Sequence, residues 1–245
     1  MKIHAVMEYN AEGYLIYAAN FIGAFVRGRT KEEALAKFPA EIRSYLRWLG
    51  REGEFCEPVE VEIVQEKLSN LKVCDADSDV IFHSETQPLQ LAEYEKLKAL
   101  ALKSATDFQA LFDSIPNKTG TTLSPRKTFY GDVPVTAEEM YLHTMNVNSY
   151  YFGEIGVKAK NGPDIPSCRQ QGFAKLEDTP DFLANRVHDG SYGEQWSLRK
   201  VMRRFVWHDR IHARAMFKMA AALCGRKAVQ NPFRFDERQH PRLPE

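Results

Sequence analysis

Two histidines, His208 and His212, stand four residues apart in a segment whose apolar residues recur every three or four positions. That recurrence, over residues 197–225, predicts a long amphipathic helix with one buried stripe. Both histidines fall within the stripe, and residues four apart point to the same side of a helix. Their imidazoles are therefore placed to bind one ion. The flank of this helix carries basic residues, namely Arg199, Lys200, Arg203 and Arg204.

A third histidine lies on a different predicted helix. Thr136 and Glu139 form a capping-box pattern, and the helix that begins there places His143 on its inner side. Three neutral imidazole nitrogens form a ligand set that borderline divalent metals accept, with one position left open for water or substrate. The open position is typical of a catalytic site, because structural zinc normally has four protein ligands. The plainer interpretation is three core histidines that hydrogen-bond to their neighbours without a metal.

Two carboxylates near these histidines are candidates for a catalytic proton acceptor. Glu139 lies one turn before His143, although its role in the capping box already accounts for it. Asp209 neighbours His208, but the step of about 100° per residue turns it away from the stripe and favours an ion pair. Tyr150 and Tyr151 are candidates for the wall of a pocket, although aromatic residues at this spacing are also typical of a core.

The composition is that of an ordinary globular protein. Among 245 residues, 44% are hydrophobic and 27% are charged, and 33 Lys and Arg residues balance 33 Asp and Glu residues. This balance argues against a nucleic-acid or membrane surface. Four scattered cysteines favour a reducing compartment, and no apolar run approaches the roughly 20 residues of a membrane-spanning helix. We therefore expect a cytoplasmic protein without a signal peptide.

Residues 1–68 predict a small domain with the order βββαβ. Residues 2–9, 14–19, 24–27 and 59–64 have the patterns of strands. A helix precedes the fourth strand, and the capping-box pattern of Thr30 and Glu33 marks its start. Residues 69–88 have none of the Gly, Ser or Pro richness of a flexible tether, and we predict that they form a connector.

Residues 89–245 have a helical pattern with an extended tail. A long helix stops near Pro116, and a loop of about 18 residues, 117–134, leads to the helix of His143. A Gly/Pro-rich loop that holds Cys168 follows, and Thr179 marks the start of a short helix before the last long one. The predicted fold is therefore α+β, a βββαβ domain followed by an up-down four-helix bundle.

The N-terminal domain resembles the HicB-like family. The residues that carry the resemblance are Tyr17-Ala18-Ala19, Gly23 and the segment RGRTKEEALAKFPAEIRSYL, which is close to the strand-to-helix turn of that family. Residues 20–24 depart from the family, which usually has a proline and a Gly-Cys pair at this point. The family is best known as the antitoxin half of toxin–antitoxin pairs, and the resemblance implies a module for dimerisation or ligand presentation.

Residues 89–225 resemble the DinB-like/YfiT-like superfamily of four-helix metalloproteins. Its hallmark, one histidine on the second helix and His-x-x-x-His on the last, falls on His143 in YLHTMNVNSYYFGEIG and on His208 and His212 in VWHDRIHARAM. The resemblance implies a divalent metal ion, either zinc, nickel or iron, at this histidine triad. It also implies transfer or hydrolysis of a small-molecule thiol or electrophile, because the metal lowers the pKa of a bound thiol or water. Members of both families frequently dimerise, so we expect a homodimer.

Two other functions stay open. Residues 208–212 differ by one residue from the HExxH signature of zinc peptidases. That chemistry needs a glutamate, which is one methylene longer than Asp209, and only His240 follows as a third ligand. The other alternative is a non-catalytic, metal-stabilised regulatory or antitoxin-like assembly protein.

Overall fold

Strands lie near the N-terminus and long helices follow, in a computed structural model that describes residues 1–128 and 131–235. The α+β class predicted from the sequence is confirmed. The chain divides into two units, one formed by Met1–Phe82 with residues 233–235, the other by the described residues of His83–Pro232. The predicted connector is divided between them, because residues 69–82 belong to the first unit. His240 and the rest of the predicted tail from residue 236 lie outside the described residues.

The first unit is built on a four-stranded sheet with the order β3-β2-β1-β4. The central strand β1 pairs antiparallel with β2 and parallel with β4, and β2 pairs antiparallel with β3. At the start of β1 the buried side chains of Ile3 and Ala5 alternate with exposed ones, whereas Val6, Met7 and Glu8 are all buried, so both faces of this central strand are covered there. The strands are β1 (Lys2–Asn10), β2 (Gly13–Ala18), β3 (Phe25–Gly28) and β4 (Glu60–Leu68).

The single helix predicted after Thr30 is two helices, α1 (Lys31–Leu35) and α2 (Phe38–Trp48). Thr30 caps α1, since its Oγ1 accepts a hydrogen bond from the amide of Glu33 at 3.1 Å. Pro39 lies in the first turn of α2. Because proline lacks an N–H and crowds the preceding turn, a helix cannot run through it unbroken, and the chain restarts there.

The second unit contains four helices that pack against one another: α3 against α5 and α6, and α4 against α5 and α6. A short two-stranded ribbon lies in the connection between α3 and α4, and another lies between α5 and α6. Within the described residues, no helix combines the length and the apolar composition that crossing a bilayer requires. The helices are α3 (Leu91–Ser114), α4 (Ala137–Gly153), α5 (Ile165–Glu177) and α6 (Leu198–Cys224), and the ribbons are β5 (Lys127–Thr128) with β6 (Gly131–Asp132) and β7 (His188–Asp189) with β8 (Gln195–Trp196).

The helix α5 differs from the sequence prediction, which treats this region as a loop. Asp164 caps the helix by accepting a hydrogen bond from the amide of Ser167 at 2.8 Å. Gly172 lies where α5 crosses Phe152 of α4, and a Cβ atom there would stand 2.0 Å from the phenyl ring. The glycine is therefore a packing residue inside a helix and does not mark a loop.

The prediction of a helix that begins at Thr179 is wrong. Only one 3-10 turn, Phe182–Ala184, forms there. Asn185 ends it in the left-handed conformation, with φ of 52°. Its side chain donates to the carbonyl oxygens of Glu85 and Gln87, and its Oδ1 accepts from the amide of Arg199. These three hydrogen bonds hold the residue in a conformation that a helix cannot continue.

Candidate metal centre

Two capped helices position the three histidines. The predicted capping box at the start of α4 is confirmed: Thr136 Oγ1 accepts from the amide of Glu139 at 3.1 Å, and the Glu139 carboxylate accepts from the amide of Thr136 at 3.1 Å. His143 follows one turn later. The helix α6 begins at the N-cap Ser197 and ends at Gly225, as predicted, and carries His208 and His212 near its middle.

The three imidazoles meet at one point between α4 and α6. The Nε2 atoms of His143 and His208 are 3.1 Å apart. The ring of His212 has its centroid 4.8 Å from that of His143 and 4.4 Å from that of His208. One nitrogen from each ring lies within 4.8 Å of the other two. The structure therefore brings together the three histidines that the spacing singled out.

The cluster runs from the core to the surface. His208 is buried, His212 is half-buried and His143 is exposed. Burial lowers the pKa of all three rings: well below the usual range for His208 and to about 3 for His212. For His143, the protein around the ring lowers the pKa although much of the residue's surface meets solvent. All three rings are therefore neutral at pH 7, with lone pairs available for a cation.

This donor set fits a divalent metal ion. Two nitrogens bound to zinc at about 2.05 Å and at tetrahedral angles lie about 3.3 Å apart, close to the separation found between His143 and His208. The Nδ1 of His208 is buried and has no hydrogen-bond partner in the described part of the chain. The interactions of this ring therefore depend on its Nε2, which faces His143. Three neutral nitrogens without a thiolate suit zinc, nickel or iron.

Asp209 is turned away from the cluster and belongs to a buried ion pair, as its position on the helix indicates. Its carboxylate accepts hydrogen bonds from both terminal nitrogens of Arg169 and from Ser104 Oγ at 2.6 Å. Arg169 also donates to Asn148 Oδ1 and to the carbonyl oxygen of Ala101, each at 3.1 Å. One guanidinium on α5 thus joins α3, α4 and α6 within one residue of His208. Neither Arg169 nor Ser104 is revealed by helical periodicity, because their partner lies on another helix.

The prediction that α6 has a basic flank outside its buried stripe is wrong for three of the four residues, because Lys200, Arg203 and Arg204 are buried. Arg203 pairs with Glu85, while Lys200 and Arg204 share the carboxylate of Glu194. Desolvation, followed by the nearby charge of Arg204, lowers the pKa of Lys200 to about 8. The partner carboxylates come from the segments before α3 and α6, so helical periodicity does not reveal them.

The other candidate residues are Glu139, Tyr150 and Tyr151, and each makes contacts within the fold. The Glu139 carboxylate also accepts from the amide of Val135 at 2.9 Å, and these backbone hydrogen bonds lower its pKa. Tyr151 is buried, and its ring stands perpendicular to that of His208 with 6.0 Å between centroids. Desolvation raises the pKa of Tyr151 to about 12, so its hydroxyl stays protonated. Tyr150 is half-buried and packs its edge against Trp196. Tyr151 thus forms the inner wall of the cluster.

Comparisons of the chain with protein-family models, with curated proteins and with solved structures gave no match. The HicB-like and DinB-like resemblances therefore remain predictions.

Proposed function

We propose that the protein binds one divalent metal ion through His143, His208 and His212 and uses it on a small-molecule thiol or electrophile, as a transferase or hydrolase. The observation that carries the proposal is the approach of His143 Nε2 to His208 Nε2 at 3.1 Å, with His212 beside both. A hydrogen bond between these two Nε2 atoms uses only one lone pair, whereas a shared cation would use the lone pairs of all three rings.

The chain's own residues hold and orient the ligands. Bound zinc, nickel or iron supplies a Lewis acid that lowers the pKa of a coordinated thiol or water. His208, buried against Tyr151, fixes the inner side of the site, and the exposed His143 leaves the outer side accessible to a small molecule. Tyr151 and the core behind it exclude water from the inner side, which strengthens electrostatic interactions within the site.

A second candidate is a non-catalytic metal-stabilised regulatory protein. The observation that favours it concerns the proton acceptor: Asp209 is paired with Arg169, and Glu139 accepts backbone hydrogen bonds. Neither carboxylate is hydrogen-bonded to a histidine of the cluster. Metal binding is common to both candidates, and only turnover separates them.

The two units of the chain also have proposed fold families. We infer that the first unit is a HicB-like domain and that α3 to α6 form a DinB-like up-down four-helix bundle. The strand order βββ-helices-β and the pairing of α3 to α6 described above support these assignments. A cytoplasmic homodimer is the expected setting.

The test of metal binding is the metal content of the purified protein against His143→Ala, with His188→Ala as the matched control. His188 lies in the ribbon strand β7, outside the cluster. We expect about one ion per chain in the wild type and in the control, and a large loss in His143→Ala, because two imidazoles hold a divalent ion far less tightly than three. Mass spectrometry of the metal identifies it. An unchanged load in His143→Ala would remove this residue from the site.

The test of catalysis is turnover of a low-molecular-weight thiol with an electrophile, measured with and without EDTA. Metal-dependent turnover that His143→Ala abolishes supports the enzyme. If EDTA lowers the stability of the protein and no turnover is seen with or without EDTA, the result supports the regulatory candidate.

A further inference from the structure

Within residues 1–128 and 131–235, no hydrogen bond holds the His208 ring from the side of its Nδ1. This nitrogen is buried without a partner, while the Nε2 of the same ring faces His143 Nε2 at 3.1 Å. In metal sites the second ring nitrogen usually donates to a carboxylate or a carbonyl oxygen, which orients the ring. The position of His208 relative to His143 therefore depends on the packing around the ring and on how α6 is held against α4.

Arg169, on α5, forms hydrogen bonds to both helices that carry the histidines. Its Nε donates to Asn148 Oδ1 on α4 at 3.1 Å, and its two terminal nitrogens donate to the two carboxylate oxygens of Asp209 on α6. Asp209 directly follows His208 in the chain. Because a planar guanidinium with two parallel hydrogen bonds strongly restricts the orientation of its partners, Arg169 holds α4 and α6 in one arrangement.

Asn148 is in turn bonded to its own helix. Its Nδ2 donates to the carbonyl oxygens of Thr144 and Met145, at 3.3 Å and 2.9 Å, about one turn earlier in α4. Thr144 directly follows His143. The amide and the guanidinium that it contacts are both fully buried, so water does not compete for these hydrogen bonds. A continuous chain of hydrogen bonds therefore runs from the residue after one histidine to the residue after the other.

We propose that Arg169 is a positioning residue of the metal centre and holds His143 and His208 at the separation that a divalent ion requires. This inference rests on the proposed metal site. Distances between a metal and its ligands vary by only about 0.2 Å, so a small slide of α4 along α6 removes a ligand from reach. Apolar contacts between the helices are not directional and resist such a slide less than the hydrogen bonds of Arg169 do.

The experiment measures cobalt(II) binding to the full-length protein by visible absorption, which reports affinity and ligand geometry without turnover. Asn148→Leu removes the acceptor on α4 and leaves the pair of Arg169 with Asp209 in place. Ser104→Ala is the matched control, because it removes a buried hydrogen bond to the same carboxylate from α3, a helix without a histidine of the cluster. Arg169→Lys keeps the positive charge without the planar group. Circular dichroism establishes that each variant is folded during the titration.

We expect Asn148→Leu to bind cobalt(II) about tenfold more weakly than the wild type, with shifted absorption bands, as is common when a residue that orients metal ligands is lost. Ser104→Ala should bind cobalt(II) like the wild type although its urea midpoint falls, because lower stability does not change the affinity of a protein that stays folded. Arg169→Lys should resemble Asn148→Leu, since a lysine cannot reproduce the bidentate pair together with the bond to the amide.

Two outcomes overturn the inference and leave the metal site standing. One is an affinity and a spectrum of the wild type in Asn148→Leu, and the other is an equal loss of affinity in Ser104→Ala. His143→Ala separates these outcomes from a failure of the proposed function. If His143→Ala binds cobalt(II) as the wild type does, the metal site falls, and the positioning role of Arg169 falls with it.

Discussion

The second unit contains two polar regions whose buried side chains avoid an uncompensated charge in different ways. In the paired-charge region, formed by Arg169 with Asp209, Arg203 with Glu85, and Glu194 with Lys200 and Arg204, each buried cation has a carboxylate partner. In the histidine cluster, desolvation keeps the rings neutral and no carboxylate pairs with them in the described chain. The charges of the first region are balanced within the protein, whereas the second region offers three neutral nitrogen donors to the metal ion that we propose.

The difference follows from the cost of burying each kind of group. An ionised side chain away from water costs several kcal/mol unless it is paired, so arginine and aspartate on α6 can be buried only with partners. An imidazole escapes that cost by releasing its proton, and it keeps a lone pair. In the paired-charge region each buried charge therefore depends on its partner, whereas the neutral rings of the histidine cluster keep lone pairs that a metal ion could use.

The largest expected effect tests the first half of this comparison. In Asp209→Asn, the charge of Arg169 is left buried without its partner, and we expect the free energy of unfolding to fall by about 3–5 kcal/mol. Urea unfolding of the metal-free protein measures it. The matched control is Asp107→Asn, which removes a carboxylate from the surface pair with Lys103 and should cost less than about 1 kcal/mol.

A double variant sharpens this result. Arg169→Met with Asp209→Leu removes both charges, so it should be less destabilised than Asp209→Asn if the unpaired guanidinium is the cause. A single variant as stable as wild type would mean that the buried pair does not stabilise the packing of these helices.

The sequence indicates the histidine cluster better than the paired-charge region, and the reason is physical. His143, His208 and His212 depend on helical periodicity within α4 and α6, and the caps Thr136 and Ser197 mark where those helices start. Periodicity is a local property of the chain, so it can be read without knowing the fold.

The paired-charge region depends on contacts between residues distant in the chain. Lys200 and Arg203 lie among apolar positions of α6 but have the residue types of a solvated flank, and only Glu194 and Glu85 make their burial possible. The sequence pattern does not predict the helix α5, for a related reason. Gly172 suggests a loop until Phe152 is seen to occupy the space of its missing side chain.

A smaller effect tests the second half of the comparison through pH. The folded protein holds the pKa of His212 at about 3, against an ordinary value near 6.5, so between these values the unfolded chain binds a proton that the folded chain does not. The free energy of unfolding therefore falls as pH falls through 6.5. At pH 4.5 this histidine should lower the free energy of unfolding by about 3 kcal/mol relative to pH 8.

Urea unfolding in EDTA, from pH 8 to pH 4.5, compares wild type with His212→Gln. The variant should lose less stability over this range, because glutamine does not titrate. Parallel curves for the two proteins would show that His212 is solvated in the folded state, which contradicts its burial in the cluster.

The smallest effect separates a helix cap from a catalytic group. Glu139 accepts the amide hydrogen bonds of Val135 and Thr136, so Glu139→Ala should lower the free energy of unfolding by about 1 kcal/mol. Because the carboxylate is occupied at the start of α4, the variant should retain the metal load of the wild type and, if the protein is an enzyme, its pH–rate profile. Thr136→Ala breaks the same box from the other side and is the matched variant. A loss of turnover in Glu139→Ala that Thr136→Ala does not share would assign the proton acceptor to Glu139 and extend the metal centre by one turn of α4.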